Sequence, residues 1–231
     1  MLQGKEKEMI YLYSGTPGSG KSLHLAKDIL FRLRRGGTVI ANFTCNEKIV
    51  GKREGDFIYK DNSDLTPAYL VGYAIKHHKK GREGQTLLVI DECSVMFNSR
   101  EYGKKDRMEW IKFFQMHRHF GYNVILCAQT DRLIDRQIRA FVEYDIKHRK
   151  MNNFGFVGML FSLFRLPMFA AVTYWYGVKE RIGVDFFMYR KLYGRFYDSY
   201  AMFEEAESLG EGVAQAGDPI TEGAPSLDIP I

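Results

Sequence analysis

Apolar runs of strand length alternate along this chain with apolar residues at helical spacing. That is the order that builds a parallel sheet covered by helices. Met9-Ile10-Tyr11-Leu12-Tyr13 is a short apolar run with strand-favouring residues. Behind it Leu23, Leu25, Ala26, Ile29, Leu30 and Leu33 recur at the spacing of one helix face. Arg34-Arg35-Gly36-Gly37 then reads as a stop signal, with basic residues in the last turn and glycine beyond. A second strand is predicted over Thr38–Phe43 and a short one over Asp56–Tyr59, inside an otherwise irregular stretch from 44 to 65. Pro67 opens a helix through Tyr69, Leu70, Tyr73 and Ala74, which ends in the basic run Lys76-His77-His78-Lys79-Lys80. Thr86-Leu87-Leu88-Val89-Ile90 is continuously apolar, as a strand buried on both faces must be. Residues 106–120 carry Met108, Trp110, Ile111, Phe113, Phe114 and Met116 at helical spacing, an aromatic load that suits core or a subunit contact. Gly121-Tyr122-Asn123 predicts a break before another buried strand, Val124–Gln129.

The later third is less regular. Phe154–Tyr176 is the most apolar region, but Arg165 and Pro167 divide it. The uncharged pieces, 151–164 and 166–178, fall short of the roughly 18 apolar residues of a spanning helix. Met168–Tyr176 has the composition of a strand. Phe154–Phe161 follows the basic cluster Lys147-His148-Arg149-Lys150, which leaves an anionic membrane surface, core and a subunit interface all open. The aromatic and basic residues of 189–203 suit a closing helix or strand. Residues 204–231 hold seven acidic side chains and no Lys or Arg, and read as an acidic, disordered tail. The formal charge of +5 is therefore +12 over residues 1–203 and −7 over the rest. A body that basic suits an anionic partner such as nucleic acid, or else a solvated surface. The three cysteines, Cys45, Cys93 and Cys127, show no C-x-x-C spacing and read as reduced thiols of a cytosolic protein.

The chemistry concentrates at two strand ends. Gly15-Thr16-Pro17-Gly18-Ser19-Gly20-Lys21-Ser22 fits G-x-x-x-x-G-K-[ST] and sits between the first strand and the first helix. Glycines let the backbone N–H groups turn inward on phosphate, and the helix start adds partial positive charge. In that role Lys21 reaches the β- and γ-phosphates of a nucleoside triphosphate, and Ser22 ligates Mg²⁺. Seventy residues after Lys21, the buried strand ends in Asp91-Glu92. Asp91 would hold Mg²⁺ through its water shell, and Glu92 would polarise an attacking water. Gln129 ends the strand expected next to these, where a polar side chain either senses the γ-phosphate or merely caps the strand. Three arginines follow in Asp131–Arg139, and Arg136 and Arg139 are the candidates for an arginine finger supplied to a neighbouring subunit. Surface salt bridging is the other use of such residues.

The phosphate loop, Leu87-Leu88-Val89-Ile90-Asp91-Glu92, Ile134–Arg139, Leu166-Pro167-Met168 and Leu192–Tyr200 together resemble the N-terminal domain of zonular occludens toxin. That family includes the gene I assembly protein of filamentous phages, and the similarity covers roughly residues 8–203. The resemblance implies an α/β P-loop NTPase of the RecA-like, FtsK–HerA type, with a mostly parallel central sheet. It further implies a Mg²⁺- and ATP-dependent motor, working as a ring, that extrudes single-stranded phage DNA through the host inner membrane while coat proteins are added. Domains are expected at 1–203, with a strand-rich extension from about 141, and at 204–231. Family members usually carry a transmembrane helix after the ATPase domain, where this chain has its acidic stretch. A separate membrane polypeptide, peripheral contact with the cytoplasmic face, and a longer protein of which this is a piece all remain open. So do two other functions: a cytoplasmic DNA-packaging or helicase-type ATPase, and a nucleotide-gated assembly scaffold without motor activity.

Overall fold

A computed structural model describes residues 9–46, 49, 55–100, 106–151 and 167–196. All of them fall within one compact unit, Met1–Tyr197. The apolar run at 154–161, residues 197–203 and the acidic tail lie outside the described residues.

Eight strands form one sheet: β1 (Ile10–Ser14), β2 (Thr38–Ala41), β3 (Phe57–Tyr59), β4 (Thr86–Ile90), β5 (Tyr122–Ala128), β6 (Tyr144–Lys150), β7 (Met168–Trp175) and β8 (Glu180–Met188). Their order is β3-β2-β4-β5-β1-β6-β7-β8. Pairing is parallel from β3 through β6 and antiparallel for β6–β7 and β7–β8. The helices are α1 (Lys21–Arg34), α2 (Pro67–His77), α3 (Arg107–Met116), the single turn α4 (Arg136–Arg139) and α5 (Lys191–Phe196). Every residue of β4 and β5 is buried, because both have helices on each face.

Two cores result. On one face Leu12, Leu88, Ile90, Val124 and Leu126 pack with Leu70 of α2 and Trp110, Phe113 and Phe114 of α3. On the other, Tyr13, Val39, Val89, Ile125 and Ile146 pack with Leu25, Ile29, Leu30 and Leu33 of α1 and Phe196 of α5. The aromatic helix is thus core, with Met108 and Met116 left exposed. Thr66 caps α2 by accepting from the Tyr69 N–H at 3.2 Å, ahead of Pro67 at the first helical position.

Some expectations change. The break before β5 is Gly121 alone: Tyr122 is wholly buried in the strand and donates its hydroxyl to the Leu70 carbonyl at 2.7 Å. In the basic run after α2, His78 turns inward, donating from Nδ1 to the Phe120 carbonyl and meeting the Thr86 hydroxyl at 2.7 Å. The stretch 131–139 is a 3-10 turn (Asp131–Leu133) followed by α4. Lys147-His148-Arg149-Lys150 belongs to β6, a strand that pairs directly with β1. Its side chains divide by strand alternation, so His148 is buried while Lys147 and Arg149 are exposed.

His148 belongs to a buried polar network between β1, α1 and β6. Its Nδ1 donates to the Ser14 carbonyl at 3.2 Å, so its Nε2 accepts from His24 Nδ1 at 2.9 Å. Tyr13 donates to Asp28 at 2.5 Å, and His24 Nε2 lies 3.7 Å from the same carboxylate oxygen. Phe187 of β8 stacks on His24 at 5.0 Å. Burial above all pushes both imidazoles down to about 3, helped by Lys27 at His24 and by His24 itself at His148.

Two predictions follow from this packing. Phe114→Ala is expected to cost about 3–5 kcal/mol, read as a lower urea midpoint at unchanged slope. A loss within about 1 kcal/mol would mean the ring is not core. The histidine pair should also make stability acid-sensitive. Its contribution is complete above the ordinary histidine pKa of about 6.5. It is lost as pH falls toward about 3, because the unfolded chain takes up protons that the fold refuses. The limiting slope is about 1.4 kcal/mol per pH unit for each imidazole. Urea titrations from pH 7 to pH 4 should show a shallower dependence in a His24→Gln/His148→Gln variant; parallel curves would refute the assignment.

Candidate functional site

β1 and β4 end at the same rim of the sheet, separated only by β5. That rim is where parallel α/β sheets hold their ligands. The chain leaves β1 at Gly15, which has φ +147° and donates its N–H to the Gln129 carbonyl at 3.2 Å. A Cβ at Gly15 would come within 2.7 Å of both the His148 carbonyl and Ser19 Oγ, so only glycine passes between β5 and β6 here. Gly20 is the N-cap of α1, with φ +96° and no capping side chain, and α1 has no acidic residue in its first turn. The N–H groups at the start of α1 are therefore left to an anion. Ser19 Oγ is buried and has no hydrogen-bond partner among the described residues, as expected of a loop built around a missing polar ligand. Lys21 Nζ donates to the Gly15 carbonyl at 2.6 Å, which holds the ammonium across the loop.

Lys21, Ser22, Asp91, Glu92 and Gln129 all line one cavity of about 390 Å³, together with Pro17, Gly18, Ser19 and Gly20 of the loop. The two motifs are thus brought together within the span of one ligand. Gln129 is the first residue after β5, between the phosphate loop and the acidic pair. Ser22 and Asp91 face a common space, the donor set that Mg²⁺ takes when phosphate oxygens and water complete its shell. Asp91-Glu92 is held from outside: Asn42 accepts from the Asp91 N–H at 2.7 Å and donates to the Asp91 carbonyl at 2.9 Å. The Glu92 N–H donates to Asp91 Oδ1 at 2.9 Å, and Glu92 takes φ +43°, a left-handed conformation that costs a side-chain-bearing residue about 1–3 kcal/mol. Such strain persists where the surroundings impose it, and here the Asn42 clamp and the Cys93 N–H, bonded to the Cys127 carbonyl at 2.9 Å, do so. Partial desolvation and then the Asp91 charge push the Glu92 carboxyl above its ordinary range, with Lys21 pulling the other way.

The arginines lie elsewhere. Neither Arg136 nor Arg139 lines the cavity. Arg139 is half-buried and donates to the Asp131 carbonyl of its own chain at 3.0 Å, whereas Arg136 is exposed. Sequence reasoning missed Asn42, Phe169 and Tyr189, the last two of which also line the cavity. A signal existed for Asn42, the polar residue that ends the apolar run of β2. Phe169 and Tyr189 reach the rim through the antiparallel pairing of β7 and β8, which no local pattern announces.

Known proteins resemble this chain. The zonular occludens toxin (Zot) family model matches residues 9–203. The Gene 1 protein of Salmonella phage IKe is 30% identical over 173 residues, covering 69% of this chain and 46% of that protein. The Gene 1 protein of Enterobacteria phage fd is 28% identical over 163 residues, covering 67% and 46%. The chain thus spans a little under half the length of these curated relatives. Among solved structures, the N-terminal domain of zonular occludens toxin from Neisseria meningitidis aligns with TM-score 0.51 and 18% identity, over 82% of this chain and 98% of that one. The DNA-packaging ATPase of Sulfolobus Turreted Icosahedral Virus aligns with TM-score 0.51 and 17% identity, over 79% and 98%. The fold is that of the P-loop NTPases, with its sheet mostly parallel, and the chain belongs to the zonular occludens toxin family.

Proposed function

We propose that this chain is the ATP-hydrolysing engine of a filamentous-phage assembly machine, one that drives single-stranded DNA out of the host cell as coat subunits are added. The observation that carries the reading is the single cavity shared by the lysine loop, the acidic pair and Gln129. The loop N–H groups and Lys21 bind the triphosphate, and Ser22 with Asp91 would hold Mg²⁺. The metal, when bound, neutralises charge on the β- and γ-phosphate oxygens. Glu92 is the general base: its raised pKa makes it a better proton acceptor for the attacking water. Gln129 is bonded through its carbonyl to the first residue of the loop, so it feels both the γ-phosphate and the β5 backbone. Arg136, exposed on α4, is free to reach a neighbour's site in a ring, whereas Arg139 is engaged by Asp131 of its own chain. The +12 charge of residues 1–203 supports a cationic track for DNA, with the salt sensitivity that phosphate contacts bring. No helix among the described residues is long and apolar enough to cross a membrane. Contact with the cytoplasmic face of the inner membrane would come through peripheral docking, a partner, or a further segment of a longer protein.

The deciding experiment compares ATP binding and turnover of the wild type with Lys21→Ala and Glu92→Gln, each with and without single-stranded DNA. Lys21→Ala should lose nucleotide binding. Glu92→Gln should keep binding and lose at least about 100-fold in kcat. A wild type that binds ATP but never turns it over, with or without DNA, would instead be a nucleotide-gated scaffold. Failure of the expressed chain to float with inner-membrane vesicles would favour a cytoplasmic packaging ATPase. For the finger, Arg136→Ala should lower kcat by about 10³-fold or more at unchanged ATP affinity. Equal kcat in wild type and variant removes Arg136 from the site.

A further inference from the structure

The cavity is not symmetric about the phosphate loop. On the β4–β5 side stand Asp91, Glu92 and Gln129, the groups that act at the γ-phosphate in the reading above. A triphosphate laid along the loop with its γ end there must send its nucleoside the other way, across β6 toward β7 and β8. Because β7 and β8 are antiparallel, the start of β7 and the end of β8 meet at this same rim, with Met168 paired to Met188. Two aromatic rings stand there, Phe169 and Tyr189.

The two are not equivalent. Phe169 is buried, stacks on Phe187 at 5.5 Å, and lies so close to Gly20 that a Cβ there would meet its ring at 2.7 Å. It is the floor of the loop. Tyr189 is 47% exposed and still lines the cavity. Its backbone is fixed by an N–H donated to the Pro167 carbonyl at 3.1 Å. Its ring rests on Gly194 of α5, where a Cβ would come within 2.7 Å of the hydroxyl. A bare glycine thus seats an aromatic ring whose exposed part borders the space beyond the phosphates. An exposed tyrosine braced in this way is pre-organised to stack a flat ligand, since little rotamer freedom is left to lose.

We infer that Tyr189 is the nucleobase-stacking wall of the nucleotide site, the residue that turns a phosphate loop into a nucleoside triphosphate site. The inference rests on the phosphate-binding reading of residues 15–22. Stacking uses the π-face that every base presents, so the wall discriminates nucleotide from bare polyphosphate far more than one purine from another.

The test measures Kd of the full chain for ATP and for inorganic tripolyphosphate, in wild type, Tyr189→Ala, Tyr189→Phe and Lys21→Ala. Removing a stacked aromatic should weaken ATP by roughly 5- to 150-fold. Tripolyphosphate should stay within about two-fold of wild type, since the phosphate contacts are untouched. Tyr189→Phe keeps the ring and should bind both ligands as wild type does, whereas Lys21→Ala should lose both. ATP affinity unchanged in Tyr189→Ala overturns the inference and leaves the phosphate loop standing. Equal weakening of ATP and tripolyphosphate also overturns it, because the ring would then only support the loop. A wild type that binds neither ligand brings down the phosphate-binding reading, and the base wall with it.

Discussion

A loop that is to wrap phosphate must leave most of its N–H groups open, so little inside the loop beyond the Ser19 N–H to Thr16 carbonyl bond and the Lys21 bridge to Gly15 can hold its shape. The constraint has to come from the walls. In this chain the wall on one side is β5, whose Gln129 carbonyl takes the Gly15 N–H, and on the other it is β6, whose His148 carbonyl would be struck by any side chain at Gly15. Parallel pairing of β5, β1 and β6 sets both walls at the same height. The same pairing carries β4 to that height, one strand further out, so the acidic pair arrives opposite the lysine without any long-range reach. Register in the sheet, more than any property of the loop, makes the site.

The acidic side of the site is held by a comparable device. Asn42 ends β2 and uses both ends of its amide on the Asp91 peptide, while Asp91 in turn fixes the Glu92 N–H. A left-handed glutamate can be kept only by contacts that cost more to lose than the strain relieves. Under the loop, the neutral His24–His148 pair ties α1 to β6 and carries Phe187 of β8 on its face. The antiparallel strands are therefore packed into the foundation of the phosphate loop, and are more than a decoration on the sheet edge. Movement of β7 and β8 would be felt at Gly20 through Phe169, which gives this half of the sheet a mechanical path to the loop.

How much of this could be read from the chain itself depended on whether the cause was local. The loop, the first helix and the strand ending in Asp91-Glu92 are written in spacing and apolar runs, because a doubly covered strand must be apolar throughout. Gln129 was placed by the same logic, as the first polar residue after a buried run. β6 was missed as a strand because Tyr144–Lys150 reads as charge: only Asp145, Ile146 and His148 are buried, and two of these three are polar. Asp145 is acceptable there because Ser14 donates to it at 2.6 Å, a partner 131 residues away that no window on the sequence would reveal. β8 escaped for a related reason, since this edge strand mixes exposed and half-buried residues without a clean apolar face.

The two sides of the cavity answer different chemical demands, and the sheet supplies them from its two kinds of pairing. Cleaving a phosphoryl bond requires charges and dipoles fixed in advance against developing negative charge, since they cost no reorganisation when the bond breaks. Fixed geometry is what short, buried, parallel strands with clamped ends provide, and Asp91, Glu92 and Gln129 all stand at such ends. Holding the rest of a nucleotide asks for less: a flat apolar surface near the loop, tolerant of small displacements. On the reading proposed above, the exposed rim of an antiparallel pair, with Tyr189 seated on Gly194, meets that demand without constraining the half assigned to catalysis. Glycine at 15 and 20 is where the two halves touch, and it is at these positions that added volume would disturb both at once.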